Sequence, residues 1–450
     1  MRITARETTI VVFFIGLAIL LSSDFQRSTP PPILTAGQSL PTDTEDPNQP
    51  TSSSDQHVEL DGNPRDERNF WPPEEQLRQS HLRTVHSQKM RLGGAQYFAW
   101  LASAEGELPG WVPVANPIVC RGEEYYSGHF SIPEENIVDT VPRKSQVWAS
   151  VIPGRKETYV FTEEGSYRQD LERSMFALTR RRYGFATNRN LEILAAGSVP
   201  YFCLVGTIPR TGTLASLPIG FMQMVPHFPG VAAHCTPHKK AFGHHLGPLF
   251  DETMYYTVAT RLLNYTKKYQ PTTYFAKYVL SATDLKVGVV PASVLVLWAS
   301  HYTIMLTSLI HGLVRLGVHV TDYPRRAEVW KGTGCEEARR KTYAKGWFFF
   351  CKAEESVDVN RTDIEERILL KEFDLIIISV TDYLTYRIVD ARKEIPFYDA
   401  IFRSYPRRRV VVMNDADLVK PMTADVAHKH LHNISLYFKR ETHGCTESIW

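Results

Sequence analysis

Residues 174–203, SMFALTRRRYGFATNRNLEILAAGSVPYFC, constrain the fold more than any other stretch of this chain. The apolar run SMFALT suits a buried strand, and a basic, glycine-containing turn follows it. A helix-forming segment then runs to Gly197 and Pro200, which end the helix and launch a second short apolar strand. Strand, helix and strand in so few residues predict a β-α-β corner of an α/β protein. Such a corner can hold phosphate oxygens, because the first N–H groups of the helix have no partner within it. Arg189 and Glu192 are three apart and share one helix face. Guanidinium groups there would add charge-assisted bonds, and one carboxylate can accept from both hydroxyls of a ribose. An ordinary corner whose charges face water fits the same residues.

The spacing R-x-x-E-x-x-A-x-G-x-x-P, here Arg189, Glu192, Ala195, Gly197 and Pro200, resembles the donor-binding segment of GT-B glycosyltransferases. The resemblance is to exostosin-like enzymes and to an uncharacterised glycosyltransferase-like family of algae, marine microbes and large viruses. The flanking pieces IPGRKETYVF, GTIPRTGTLASLP and LLNYTKKY extend it over residues 150–325. It implies that Arg180, Arg181, Arg182, Gly184, Arg189, Glu192 and Gly197 bind a nucleotide-sugar. That donor would be a co-substrate, with no cofactor or metal, and the partner would be a glycan or glycoprotein acceptor. The family's G-W-D reads Gly184-Phe185-Ala186 here, and its R-H-Y-E reads Arg189-Asn190-Leu191-Glu192. Loss of an aspartate and a histidine leaves open a non-catalytic descendant that only binds sugars or proteins.

The N-terminus points to a membrane or a secretory route. Thr8 to Ser23, TTIVVFFIGLAILLSS, is uncharged and follows Arg2 and Arg6. Residues 1–23 therefore read as a signal anchor or a cleaved signal peptide. Residues 24–70 are dominated by Pro, Ser, Thr and Asp without periodicity, which predicts a disordered stem. Anchor, stem and globular body form the layout of a type II Golgi or ER membrane protein with a lumenal catalytic part; a secreted protein is the alternative. Sequons occur at Asn264, Asn360 and Asn433. The six cysteines are too sparse for a disulfide scaffold, although Cys335 and Cys351 could close a short loop. A formal charge of +2 argues against a nucleic-acid binder.

Residues 71–145 read as an N-terminal elaboration and residues 146–287 as a nucleotide-sugar-binding Rossmann-like domain. In the latter, QVWASVIP, ETYVF, SMFALT, SVPYFC and GFMQMV look like strands. Two amphipathic helices close it, the first with Tyr255, Val258, Leu262 and Tyr265 on one stripe. Residues 288–450 restart as an acceptor-type Rossmann-like domain. SVLVLWAS, GVHVTDYP, FDLIIISVTDY and RRVVVMNDADL are its buried strands, and the last two are each followed by an acid. The expected fold is α/β with two Rossmann-like domains, GT-B-like and circularly permuted, since the donor-type half comes first.

Competing chemistry is confined to a few positions. Asp415-Ala416-Asp417 is a D-x-D, the metal-binding signature of a GT-A enzyme, with capping of the following helix as its plainer role. His234, Cys235, His238, His244 and His245 match no standard zinc spacing. His301 and Asp382, each just after a strand, are the candidate general bases.

Overall fold

The computed structural model describes residues 118–120, 123–180, 187–202, 217–218, 222, 225–231, 246–285, 293–299, 303–341, 346–380, 391–415, 431 and 433–440. The chain opens with β1 (Ile118–Cys120) and β2 (Glu123–Ser127), then β3 (Gln146–Trp148), α1 (Glu164–Arg173) and β4 (Ser174–Thr179). Next come α2 (Asn188–Ala195), β5 (Val199–Phe202), α3 (Glu252–Tyr269) and α4 (Thr272–Ser281). The remainder holds β6 (Ser293–Trp298), α5 (Ile304–Arg315), β7 (His319–Tyr323), α6 (Cys335–Arg340), α7 (Ile364–Leu369) and β8 (Leu375–Ser379). It closes with α8 (Ala391–Glu394), α9 (Tyr398–Ser404), β9 (Val410–Asn414) and β10 (Leu436–Lys439).

Two sheets result. The larger has the order β1-β2-β10-β9-β8-β6-β7, and every pairing is parallel except β1 with β2. Its six parallel strands make an α/β fold of Rossmann-like character. The smaller sheet, β3-β4-β5, is wholly parallel. Parallel sheets are covered on both faces, which is why the inner strands read as unbroken apolar runs. Along β6, Val294, Val296 and Trp298 join the core shared with the smaller sheet. Leu295 and Leu297 pack on the opposite face with Ile376, Ile378, Val410 and Val412.

The chain path differs from a simple tandem. β2, from the stretch expected to be an elaboration before the first domain, pairs with β10 near the other end of the chain. The larger sheet is thus begun, left for the smaller one, and resumed at β6. The outgoing and returning segments touch, with Ile132 N donating to Gln270 O at 2.9 Å and Thr272 N to Ile132 O at 3.0 Å. Two expected strands differ from expectation at their described residues. ETYVF becomes a 3-10 turn at Lys156–Thr158 with Tyr159 and Val160 exposed. The Thr158 hydroxyl closes that turn, accepting from Ile152 N at 2.9 Å and donating to Arg155 O at 2.8 Å. In GFMQMV, Met222 is helical and Val225 opens a 3-10 turn. Residues 1–70, with the expected anchor and stem, lie outside the described residues. Among the described residues no helix is long and apolar enough to cross a membrane.

Candidate functional site

The corner between β4 and α2 forms for local reasons. β4 is buried along its whole length, and α2 presents Leu191, Ile193, Leu194 and Ala195 to the core. The helix stops through Gly197 at φ +64°, with Ser198 N donating to Ile193 O and Gly197 N to Leu194 O, both at 3.1 Å. That pattern needs a left-handed residue, and a Cβ there would press on Pro142. Gly197 therefore sits at the far end of α2, about 12 Å from its start by helical rise.

The start of α2 is differently equipped. Thr187 precedes it in an extended conformation, and its side chain makes no capping bond. Arg180, just past β4, lies with its guanidinium against Gly154. Among the described residues, four buried side-chain atoms at this corner have no hydrogen-bond partner: Arg180 Nε, Thr187 Oγ1, Asn188 Oδ1 and Asn190 Nδ2. Asn190 is wholly buried, and its Oδ1 accepts from Thr179 Oγ1 at 2.6 Å. Each unmet polar atom in such a place costs about 1–3 kcal/mol, so together they favour a polar ligand.

Arg189 and Glu192 are bound into the scaffold. Arg189 Nε donates to Leu178 O and Nη2 to Val151 O, both at 2.8 Å. Its Nη1 donates to Tyr167 Oη at 2.9 Å, and that hydroxyl donates to Glu192 Oε2 at 2.6 Å. Arg189 thus ties α2 to the residues at the ends of the strand segments and to α1. Burial raises the Glu192 pKa, while the Tyr167 hydrogen bond and the Arg189 charge oppose that rise. The Tyr167 ring lies 5.5 Å from Trp347 and 6.2 Å, edge-on, from Phe348. Both aromatics belong to the segment between β7 and β8, which Cys335–Cys351 closes as a disulfide. Asn136 Nδ2 donates to Phe348 O at 2.7 Å, and Lys352 pairs with Glu164 at 3.0 Å.

The corresponding helix start in the larger sheet is already capped. Thr303 Oγ1 accepts from Leu306 N at 3.1 Å at the start of α5. Asp415, directly after β9, accepts from Met305 N at 3.4 Å and pairs with buried Arg440 at 2.5 Å. The aspartate expected either to hold a metal or to cap the helix after it accepts from the start of α5, which precedes it in the chain. Among the described residues, the α2 start has no side-chain cap and the α5 start has two.

No protein-family model, curated protein or solved structure matches this chain.

Of the expected site residues, Arg180, Arg189, Glu192 and Gly197 are seen; Arg189 and Glu192 meet through Tyr167, Arg180 lies against Gly154, and Gly197 is at the other end of α2. Arg181, Arg182, Gly184, His301, Asp382, Asp417 and the histidine-rich segment 234–245 lie outside the described residues. Tyr167, Thr187 and Asn188 were not expected as site residues, and Asn190 entered only as the replacement of the resembling family's histidine. Asn188 and Thr187 carried a usable signal, since both precede an apolar helical run as capping residues do. Tyr167 carried none, because only the packing of α1 brings it to α2.

Elsewhere, Glu134, Glu135 and His311 have ligand atoms within 4.8 Å of one another. Their atoms serve the start of α4: Glu134 accepts from Thr272 Oγ1 at 3.0 Å and Thr273 N at 3.1 Å. His311 Nδ1 lies 2.7 Å from Thr272 Oγ1, and its Nε2 lies 3.2 Å from Glu135. Burial works to raise the Glu135 pKa, but the His311 hydrogen bond and nearby positive groups bring it down to about 2.

Proposed function

We propose that the chain is a GT-B-type glycosyltransferase that moves a sugar from a nucleotide-sugar to a glycan or glycoprotein acceptor without a metal. The observation that carries this reading is the uncapped start of α2 with its four unpartnered polar atoms at the end of β4. Departure of a nucleoside diphosphate concentrates negative charge on its phosphates. A helix start and Arg180 aimed there would stabilise that charge in place of a cation. On this reading the smaller sheet belongs to the donor half, inserted after β2 of an acceptor half built on the larger sheet. Glu192 would accept from the donor ribose through the oxygen edge that Tyr167 does not occupy. Arg181, Arg182 and Gly184 would complete the phosphate cradle, and His301 or Asp382 would take the acceptor proton.

Residence in the lumen of the secretory pathway, by anchor or by secretion, is part of the proposal. Its support is the Cys335–Cys351 disulfide, with no free cysteine among the described residues. A non-catalytic sugar- or protein-binding role is the second reading. It is favoured by Asn190, which stands where the resembling family has a histidine and is buried against Thr179. Turnover assays of the purified chain against a panel of nucleotide-sugars separate the two. Release of nucleoside diphosphate that depends on an added glycan acceptor is expected. Nucleotide binding without turnover across the panel would favour the binding role instead.

A further inference from the structure

We infer that Asn360 carries an N-linked glycan and that the other two described sequons, Asn264 and Asn433, do not. The inference rests on the secretory placement proposed above but not on transferase activity. The three sequons are alike in sequence and differ sharply in structure. Asn264 is exposed in the body of α3, yet its partner Thr266 is wholly buried and donates its hydroxyl to Leu262 O at 2.9 Å. Asn433 is exposed just before β10, but Ser435 is also wholly buried, donating to Leu431 O at 2.6 Å. Transfer onto the folded chain needs the hydroxyl residue two places on, and in both cases the fold has taken it.

Asn360 is the opposite case. Asn360 and Thr362 are both exposed, in the loop that leads into α7. Thr362 donates to Asn360 Oδ1 through its backbone N and through its hydroxyl, each at 2.8 Å. Both acceptor-site residues therefore face the same open side of the chain. The backbone around them is anchored from within. Arg361 Nε donates to Asp322 O at 2.9 Å, its Nη2 pairs with Asp322 at 2.5 Å and also with Glu355, and Arg367 donates to Asn360 O at 2.7 Å. None of these contacts uses Asn360 Nδ2, so attachment of a sugar there displaces none of them.

The reaction is transfer of an oligosaccharide from a lipid-linked diphosphate. A bond forms between Asn360 Nδ2 and the anomeric carbon, the amide gives up one proton, and the lipid diphosphate leaves with the electron pair of the broken C–O bond. The full chain is expressed in a eukaryotic secretory cell, once as it stands and once behind an added cleavable leader. Peptide N-glycosidase F then tests for a mobility shift, and mass spectrometry locates the Asn-to-Asp conversion. The shift is expected in wild type, Asn264→Gln and Asn433→Gln, and lost in Asn360→Gln. Thr362→Ala, which keeps the asparagine, should lose it as well. A shift that survives Asn360→Gln, or no shift in either form, overturns the inference. A glycan at Asn360 seen only behind the added leader upholds the site and removes the native secretory placement. A glycosylated chain without sugar transfer upholds the site and removes the transferase reading alone.

Discussion

Tyr167 holds one oxygen of Glu192 at 2.6 Å and takes a proton contact from Arg189 at 2.9 Å, so the pair seen in sequence is joined through a third residue. Glu192→Gln keeps the size of the side chain and removes its charge. Nucleotide affinity, titrated with UDP and GDP, should fall at least tenfold, or about 1.4 kcal/mol. The melting temperature should hold, since burial already opposes the charged form. Tyr167→Phe removes the hydrogen bond that lowers the Glu192 pKa, so that pKa should climb further. The groups acting on Glu192 are Tyr167 and Glu164 on α1 and Arg189 on its own helix. If the carboxylate form binds the ribose, loss of nucleotide binding on acidification should begin at a higher pH in Tyr167→Phe than in wild type. Superimposable pH profiles would remove this coupling. The Arg189–Glu192 spacing was legible because three-residue spacing is intrinsic to a helix. Their partners were not, because Leu178, Val151 and Tyr167 meet them only after α1 packs on the sheet.

At the scale of elements, α2 and α5 begin in equivalent settings, each after a buried parallel strand, and differ in what caps them. The α5 start holds the carboxylate of Asp415, whose charge Arg440 balances inside the protein. Asp415→Ala would remove the carboxylate that pairs with buried Arg440, while the bonds from Arg440 to the Asp415 backbone oxygen stay. The expected result is a markedly lower melting temperature, with a smaller loss in Asp415→Asn, which can still accept from Met305 N. On the transferase reading proposed above, sugar transfer by wild type should persist in EDTA. An Asp415→Ala chain that melts like wild type, together with activity abolished by EDTA and restored by Mn²⁺, would reinstate the D-x-D reading. The buried strands β4, β6, β8 and β9 were readable because two-sided burial forces unbroken apolar runs. ETYVF was misread for the complementary reason. Its β-branched and aromatic residues mimic a strand, while Thr158 spends its hydroxyl on closing a turn.

For the molecule as a whole, the least legible feature was that β2 belongs with β10. A pairing across more than three hundred residues leaves no local periodicity. Its consequence is that the segment after β2 is buried at the join between the two sheets, carrying His129 with it. The His129 ring lies 4.4 Å from Phe275, tilted by 53°, its Nδ1 donates to Phe130 O at 2.9 Å, and its Nε2 has no hydrogen-bond partner. Burial lowers its pKa from 6.5 to about 4, against the opposing pull of the Phe130 carbonyl. Between those values the unfolded chain binds a proton that the folded chain refuses, so stability rises with pH across this window and is lost on acidification. Glu135 adds to the loss only below its ordinary value of 4.5, because its folded pKa is about 2. Melting temperatures should therefore drop as pH falls from 6.5 toward 4, before most carboxylates titrate. His129→Phe keeps an aromatic ring beside Phe275 and Tyr278 and removes the titrating nitrogen. Its melting temperature should be flatter over the same interval, with the remaining decline beginning below about pH 4.5 as expected for carboxylates. A slope identical to wild type in that variant would show that the join between the sheets is not what acid attacks.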